Sequence, residues 1–313
     1  MLKISIIIRC FNEEEHIGKL LTGIEHQDYE DIEVIIVDSG SNDSTVAIAS
    51  KFNTKVIKIK PEVFSFGYAL NIGCEAATGD ILLFGSAHVY PLFKDWLSKM
   101  AAPFIENAAV ALVYGKQRGD HRNKYSEHQI FKQWFPEESN NDQKIPFCNN
   151  ANCAVRASLW KEQPFDELLT GLEDLDWAKK IQAKGFKIVY EGKATIVHVH
   201  EEKATNIRNR YKREAIALKK INPETSFSFL LMLRLLTINI IHDLRQSFKE
   251  GNFLKFFTEI FMFRYNQFVG TYAGYKETET MLNNKLRTKY YYPPKRVVEM
   301  QQTDAQKSID YNE

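Results

Sequence analysis

Between residues 4 and 197 the chain alternates short apolar runs with amphipathic stretches and polar turns. Ile4–Ile8, Val34–Val37, Val56–Ile59 and Ile81–Phe84 are short, largely apolar and rich in β-branched residues, the pattern of strands buried on both faces. Between the first two, Ile17, Leu20, Leu21 and Ile24 recur at helical spacing. A second helix follows Asp43, and a third begins near Phe66 and ends at the turn Thr78-Gly79-Asp80. Such alternation predicts an α/β fold, a mostly parallel sheet joined by right-handed crossovers and flanked by helices.

Beyond Pro91 the pattern predicts a helix over Asp95–Ile105 with Trp96 and Met100 inward, and strands at Val110–Gly115 and Cys153–Arg156. Residues 118–141 show neither period and read as an irregular loop of the kind that contacts substrates. Gly171-Leu-Glu-Asp-Leu-Asp176 opens a helix running to Ala183, with its acids in the first turn. Ile188–Tyr190 and Ala194–Val197 read as a closing hairpin, followed by a basic helix over Lys203–Lys220. After Pro223 two amphipathic helices are expected, one marked by Leu230, Leu233, Leu236, Ile240 and Leu244, the other by Phe253, Phe256, Phe257, Ile260 and Phe261. The chain thus divides into an α/β unit over 1–222, a helical extension over 223–290 and a polar, disordered tail over 291–313.

A formal net charge of +1 argues against a nucleic-acid partner, which usually requires a strong basic excess. Cys10, Cys74, Cys148 and Cys153 match no common zinc spacing and fit reduced thiols. Met1-Leu-Lys-Ile-Ser5 runs straight into a strand, and no apolar run reaches the roughly 18 residues of a spanning helix. The expectation is a cytoplasmic protein. The apolar faces after Pro223, interrupted by Arg234, Arg245, Lys249, Lys255 and Arg264, suit either the inner surface of the cytoplasmic membrane or packing on this chain or a second subunit.

Polar loops at Asn12, Asp38, Ser86 and Asn149 fall on one edge of the expected sheet, where open α/β sheets bind ligands. The loop Asp38-Ser39-Gly40-Ser41-Asn42-Asp43 offers carboxylates to a ribose or base, although an ordinary capped turn fits the spacing equally well. Residues alone lead as far as a nucleotide or sugar-phosphate site.

Four segments carry a resemblance: Ser5–Glu13, Glu33–Thr45, Gly79–Phe84 and Gly171–Asp176. In this order they resemble the family 2 glycosyltransferases, inverting enzymes of the GT-A fold that build bacterial surface polysaccharides, and within them the rhamnosyltransferase-like members. The resemblance implies a nucleotide-binding half over 1–115 and an acceptor half over 116–222. It implies donor contacts from Arg9, Phe11, Asn12, Glu13, Asp38, Ser39, Gly40, Asp43, Gly67, Asn71, Ser86 and Ala87. The partners implied are a nucleotide-sugar donor and a saccharide or lipid-linked acceptor.

The chain departs from the family where Asp-x-Asp normally holds the donor's divalent metal: here stands Ser86-Ala87-His88. Imidazole is a good ligand for manganese-like and softer ions, so His88, with His198 or His200, is a candidate set for manganese or magnesium. Direct contact of His88 with phosphates, or a donor with one phosphate, are the other readings. Only one ring of His198-Val199-His200 is expected in the site. Asp174 takes the family's place of catalytic base, with Glu173 orienting the acceptor and Asp176 outside; by themselves these acids would equally stabilise a helix start. Arg208, Arg210, Lys212 and Arg213 read mainly as a solvated or membrane-facing surface, one of them able to reach the diphosphate. Tyr125, His128, Trp134 and Phe135 are candidates either for stacking on acceptor sugars or for the core. A binding protein without turnover is one rival. A nucleotidyltransferase is another, disfavoured because the first loop, Arg9-Cys-Phe-Asn-Glu-Glu-Glu15, is acidic rather than glycine-rich.

Overall fold

The computed structural model describes residues 2–283, 286–287 and 290–291. In chain order the elements are β1 (Ile4–Cys10), α1 (Ile17–Glu25), β2 (Ile32–Asp38), α2 (Thr45–Ala49), β3 (Lys55–Lys58), α3 (Phe66–Glu75), β4 (Ile81–Ser86), β5 (Val89–Pro91) and α4 (Trp96–Glu106). There follow β6 (Val110–Arg118), α5 (Tyr125–Trp134), β7 (Asn152–Arg156), α6 (Ala157–Glu162), α7 (Glu173–Ala183), β8 (Lys187–His198), α8 (Ala204–Ile221), α9 (Phe229–Lys249) and α10 (Phe253–Tyr275). One eight-stranded sheet runs in the order β3-β2-β1-β4-β7-β6-β8-β5. Successive strand residues serve opposite faces: Ile6 and Ile8 pack with Leu20, Trp96 and Met100, whereas Ile7 packs with Leu70, Phe84 and Trp177.

The direction of each strand decides what meets at the sheet's edge. β1, β2, β3 and β4 are mutually parallel, so the loops after Cys10, Asp38 and Ser86 emerge together. β7 is antiparallel to both β4 and β6, and β6 is parallel to β8. Hence the start of β7, preceded by Asn149-Asn150, and the end of β8 at His198 lie on that same edge. β5 returns antiparallel with Val89 opposite His198, which seats His88 beside the β8 terminus.

Two expectations are corrected. Ile188–Tyr190 and Ala194–Val197 form no hairpin; they are one continuous strand, β8, paired in a single direction with β6. The intervening residues are absorbed by a register shift, Gly115 facing Glu191 and Gln117 facing Ile196. Residues 118–141 are not wholly irregular, because α5 lies within them. Its buried face is largely polar (Ser126, Glu127, Gln129), so no apolar stripe announced it.

The C-terminal helices pack back onto the α/β unit. Gly270 and Gly274 let α10 lie against the backbone of α8: a Cβ there would meet the Arg208 and Lys212 carbonyl oxygens at 2.5 and 2.4 Å. Arg264 of α10 is buried and paired with buried Asp243 of α9 at 2.7 Å. No helix among the described residues is long and apolar enough to cross a membrane. Of the expected disordered tail, Tyr291 is buried and donates its hydroxyl to the Thr170 carbonyl; the rest lies outside the described residues.

Candidate active site

At the common edge opens a cavity of about 440 Å³, lined among others by Arg9, Glu13, Ser86, His88, Asp174 and Arg213. Three histidines crowd one end. The ligand atoms of His88, His198 and His200 all lie within 4.8 Å of one another. Each ring presents Nδ1 to a side-chain acceptor: His88 to Glu13 Oε1 at 2.9 Å, His198 to Gln117 Oε1 at 2.8 Å and His200 to Glu127 Oε1 at 2.6 Å. With Nδ1 donating, every Nε2 carries a lone pair. Those of His198 and His200 stand 2.9 Å apart.

The expectation that only one of these two rings enters the site is therefore corrected. Residues two apart along extended chain share a face, and β8 ends at His198, which frees His200 to turn inward. Burial, and then the neighbouring His200 and His88, push the His198 pKa well below its ordinary value and keep it neutral. The carboxylate behind His200 is anchored in turn. Burial would raise the Glu127 pKa, but His200 and Arg210 outweigh it and bring it down to about 2. Arg210 is thus no surface cation: it is shared between Glu127 at 2.8 Å and Glu202 at 2.7 Å. Three imidazoles, each backed at Nδ1 by an acceptor and with their ligand atoms gathered together, could hold a divalent cation.

The acidic pair lines the same cavity. Leu172, at φ 57°, turns the chain into α7 and presents Glu173 and Asp174 on its first turn. Asp174 accepts from the Asn150 backbone N–H at 2.8 Å and from its neighbour Leu175 at 2.8 Å. Burial, reinforced by the Glu173 carboxylate, pushes its pKa up to about 7, where a carboxylate makes an effective base. Glu173 is held by the Asn150 amide at 3.2 Å and by Arg9 at 3.5 Å. Asp176 pairs with Lys180 on the helix surface. Arg9 and Arg213 both lie over the Phe66 ring, 4.5 and 4.7 Å from its centre.

Arg9, Glu13, Ser86, Glu173, Asp174 and the histidines thus share one cavity. The other expected donor contacts do not line this cavity. Asp38 is 1% exposed and accepts from Gly40 and Ser41 backbone N–H groups, bracing its own loop. Ser39 donates to the Cys10 carbonyl, and Asp43 accepts from Thr45 at the start of α2. Asn12, at φ 54°, accepts from the Asn42 N–H and so ties the first loop to the second; Phe11 packs against the core beside it. Ala87 is buried, Gly67 is pressed against the Asp166 carbonyl, and Asn71 is consumed by Trp160 and Phe165. Among the aromatic candidates Tyr125 is buried, stacked on Phe256 with its hydroxyl on Glu250, and His128 is half-buried. Gln117 and Glu127 were not legible as site residues; only the fold brings them behind the histidines.

A strand-edge cavity that gathers arginines, histidines and a carboxyl whose pKa is raised to about 7 is compatible with a GT-A transferase site. Residues 5–163 match the family described as Glycosyl transferase family 2, and the chain belongs to it. It is 26% identical over 272 residues to the poly(ribitol-phosphate) beta-N-acetylglucosaminyltransferase TarS of Staphylococcus aureus, covering 84% of this chain and 45% of that protein. It therefore spans under half the length of that relative. It is 26% identical over 213 residues to the O-antigen chain rhamnosyltransferase RfbN of Salmonella typhimurium, covering 64% and 67%. The mannosyltransferase PcManGT from Pyrobaculum calidifontis, in complex with GDP-Man and Mn2+, shares the fold with a TM-score of 0.61 at 16% identity, over 89% of this chain and 88% of that one.

Proposed function

We propose that this chain transfers a sugar, with inversion, from a nucleoside-diphosphate donor to a hydroxyl of a saccharide acceptor in surface-polysaccharide synthesis. The observation that carries the reading is Asp174, a buried carboxyl with a pKa near 7 in the cavity that also holds Arg9, Arg213 and the histidines. In the proposed step Asp174 takes the proton of the acceptor hydroxyl. The acceptor oxygen bonds to the anomeric carbon as the bond from that carbon to the diphosphate breaks on the opposite face. Glu173, locked by Arg9 and Asn150, holds the wall beside Asp174. Arg213, whose Nε has no partner among the described residues, offers positive charge to the diphosphate. His88, His198 and His200 would hold a divalent ion, which supplies further charge to the leaving group; imidazole donors suit manganese better than magnesium.

Turnover of a panel of nucleotide sugars, with and without EDTA, tests this. Release of nucleoside diphosphate, lost in Asp174→Asn, is expected. No turnover with any donor would favour a binding protein instead.

We further infer that the exposed face of α9 and α10 rests on an anionic bilayer, which suits a lipid-linked acceptor. Leu230, Phe248 and Leu254 are 77, 72 and 91% exposed. Arg234, Arg245, Lys249 and Lys255 are exposed around them. The acids of these helices are turned away: Asp243 is buried on Arg264, and Glu259 accepts from the Tyr125 N–H. Apolar side chains ringed by cations that pair with no acid among the described residues match a negatively charged membrane surface.

A further inference from the structure

Asp174 faces two cavities. Besides the first, it lines a second of about 420 Å³, walled by α5, α9 and α10 and sharing Asn149, His198 and His200 with the first. Arg9, Glu13, His88 and Arg213 line only the first. We propose that the second cavity binds a neutral pyranose ring of the acceptor, with the Trp134 indole as its platform. The proposal rests on the transfer function above and gives that site its second substrate.

Three observations carry it. The first is position. A base must touch the acceptor hydroxyl while the anomeric carbon lies on the donor side, so a carboxylate in the shared wall needs a ligand space on each side.

The second is charge. Both cations on the second cavity are already neutralised: Arg264 pairs with Asp243 at 2.7 Å, and Arg210 with Glu127 and Glu202. No unpaired cation among the described residues lines it, so the lining offers nothing to hold a phosphate.

The third is the lining itself. Trp134 is 41% exposed, stacked 4.6 Å from Phe147 on one side. An indole held on one face presents the other to the C–H face of a sugar. Gln117, 1% exposed, lines this cavity and its Nε2 has no partner among the described residues. Asn239 of α9, which donates to the Leu235 carbonyl, and Gln267 of α10, which accepts from Arg264, also line it and keep part of their amide capacity. Aromatic carbon beside the unspent Gln117 Nε2 is the chemistry that recognises a sugar hydroxyl on a hydrocarbon-like ring. It also makes the C-terminal helices part of the binding site rather than an appendage.

The test uses the full chain, with binding read by saturation-transfer NMR from a panel of methyl pyranosides of gluco, galacto, manno, rhamno and N-acetylglucosamine configuration. UDP and GDP serve as a separate donor arm. Transfer to pyranoside ring protons is expected in the wild type, about tenfold weaker in Trp134→Ala and reduced in Gln267→Ala, with nucleotide binding unchanged in both. Absence of contact with every pyranoside, or equal contact in Trp134→Ala, overturns the proposal. Nucleotide binding without pyranoside contact removes the second cavity and leaves the transfer reading intact. Pyranoside contact through Trp134 without nucleotide binding removes the transfer reading instead.

Discussion

His198 Nε2 and His200 Nε2 face each other across 2.9 Å, each ring fixed from behind by a buried acceptor, Gln117 and Glu127. Two lone pairs at that distance repel unless a cation or proton lies between them. The relationship is the one the proposed cation site at His88, His198 and His200 requires.

Replacing either ring removes half of that pair. His198→Ala and His200→Ala should each weaken Mn2+ binding, read by calorimetry, well over tenfold. Glu127→Gln keeps both rings but loosens His200, and should cost about 10–100-fold. Unchanged Mn2+ affinity in all three would remove the cluster as a metal site.

The pH dependence follows from Asp174. Its carboxyl pKa is raised from 3.8 to about 7, so the proposed base is mostly ionised only above that value. The logarithm of kcat/KM should rise with unit slope up to about pH 7 and then level. A plateau extending below pH 5 would contradict this. The same shift has a sign for stability. The native state holds a proton that the unfolded chain releases, so this contribution is complete below about pH 4 and is lost as pH rises through about 7. Asp174→Asn should therefore raise Tm more at pH 8 than at pH 5.

The α8–α10 contact predicts a steric penalty. Gly274→Ala places a methyl 2.4 Å from the Lys212 carbonyl, where neither backbone can yield cheaply. A loss of about 1–3 kcal/mol in denaturant unfolding is expected. A neutral result would show that the two helices separate readily.

Membrane docking is tested by charge on the outer face. Leu230→Asp with Leu254→Asp should abolish flotation with anionic vesicles without altering the fold seen by circular dichroism. Equal flotation, or no flotation of the wild type, would exclude the bilayer as the partner.

Much of this was written in the apolar pattern. The strands at Ile4, Val34 and Ile81 are continuous hydrophobic runs, and parallel pairing then forces their loops onto one edge. Trp96 and Met100 lie inward as their spacing implies. What local pattern hid is buried polarity. Glu127 and Arg210 look like surface charges in sequence, yet each is the other's reason for burial. Asp38 is the converse: a loop acid at the ligand edge that turns back to hold its own backbone. Only tertiary pairing across distant segments separates such cases.

The most direct test is the anomeric configuration of the product, followed by proton NMR from an α-linked nucleotide sugar. A β-linked product in the wild type, and none from Asp174→Asn, is the predicted result. An α-linked product, or equal product from the variant, would contradict the assignment of Asp174 as the base of an inverting transfer.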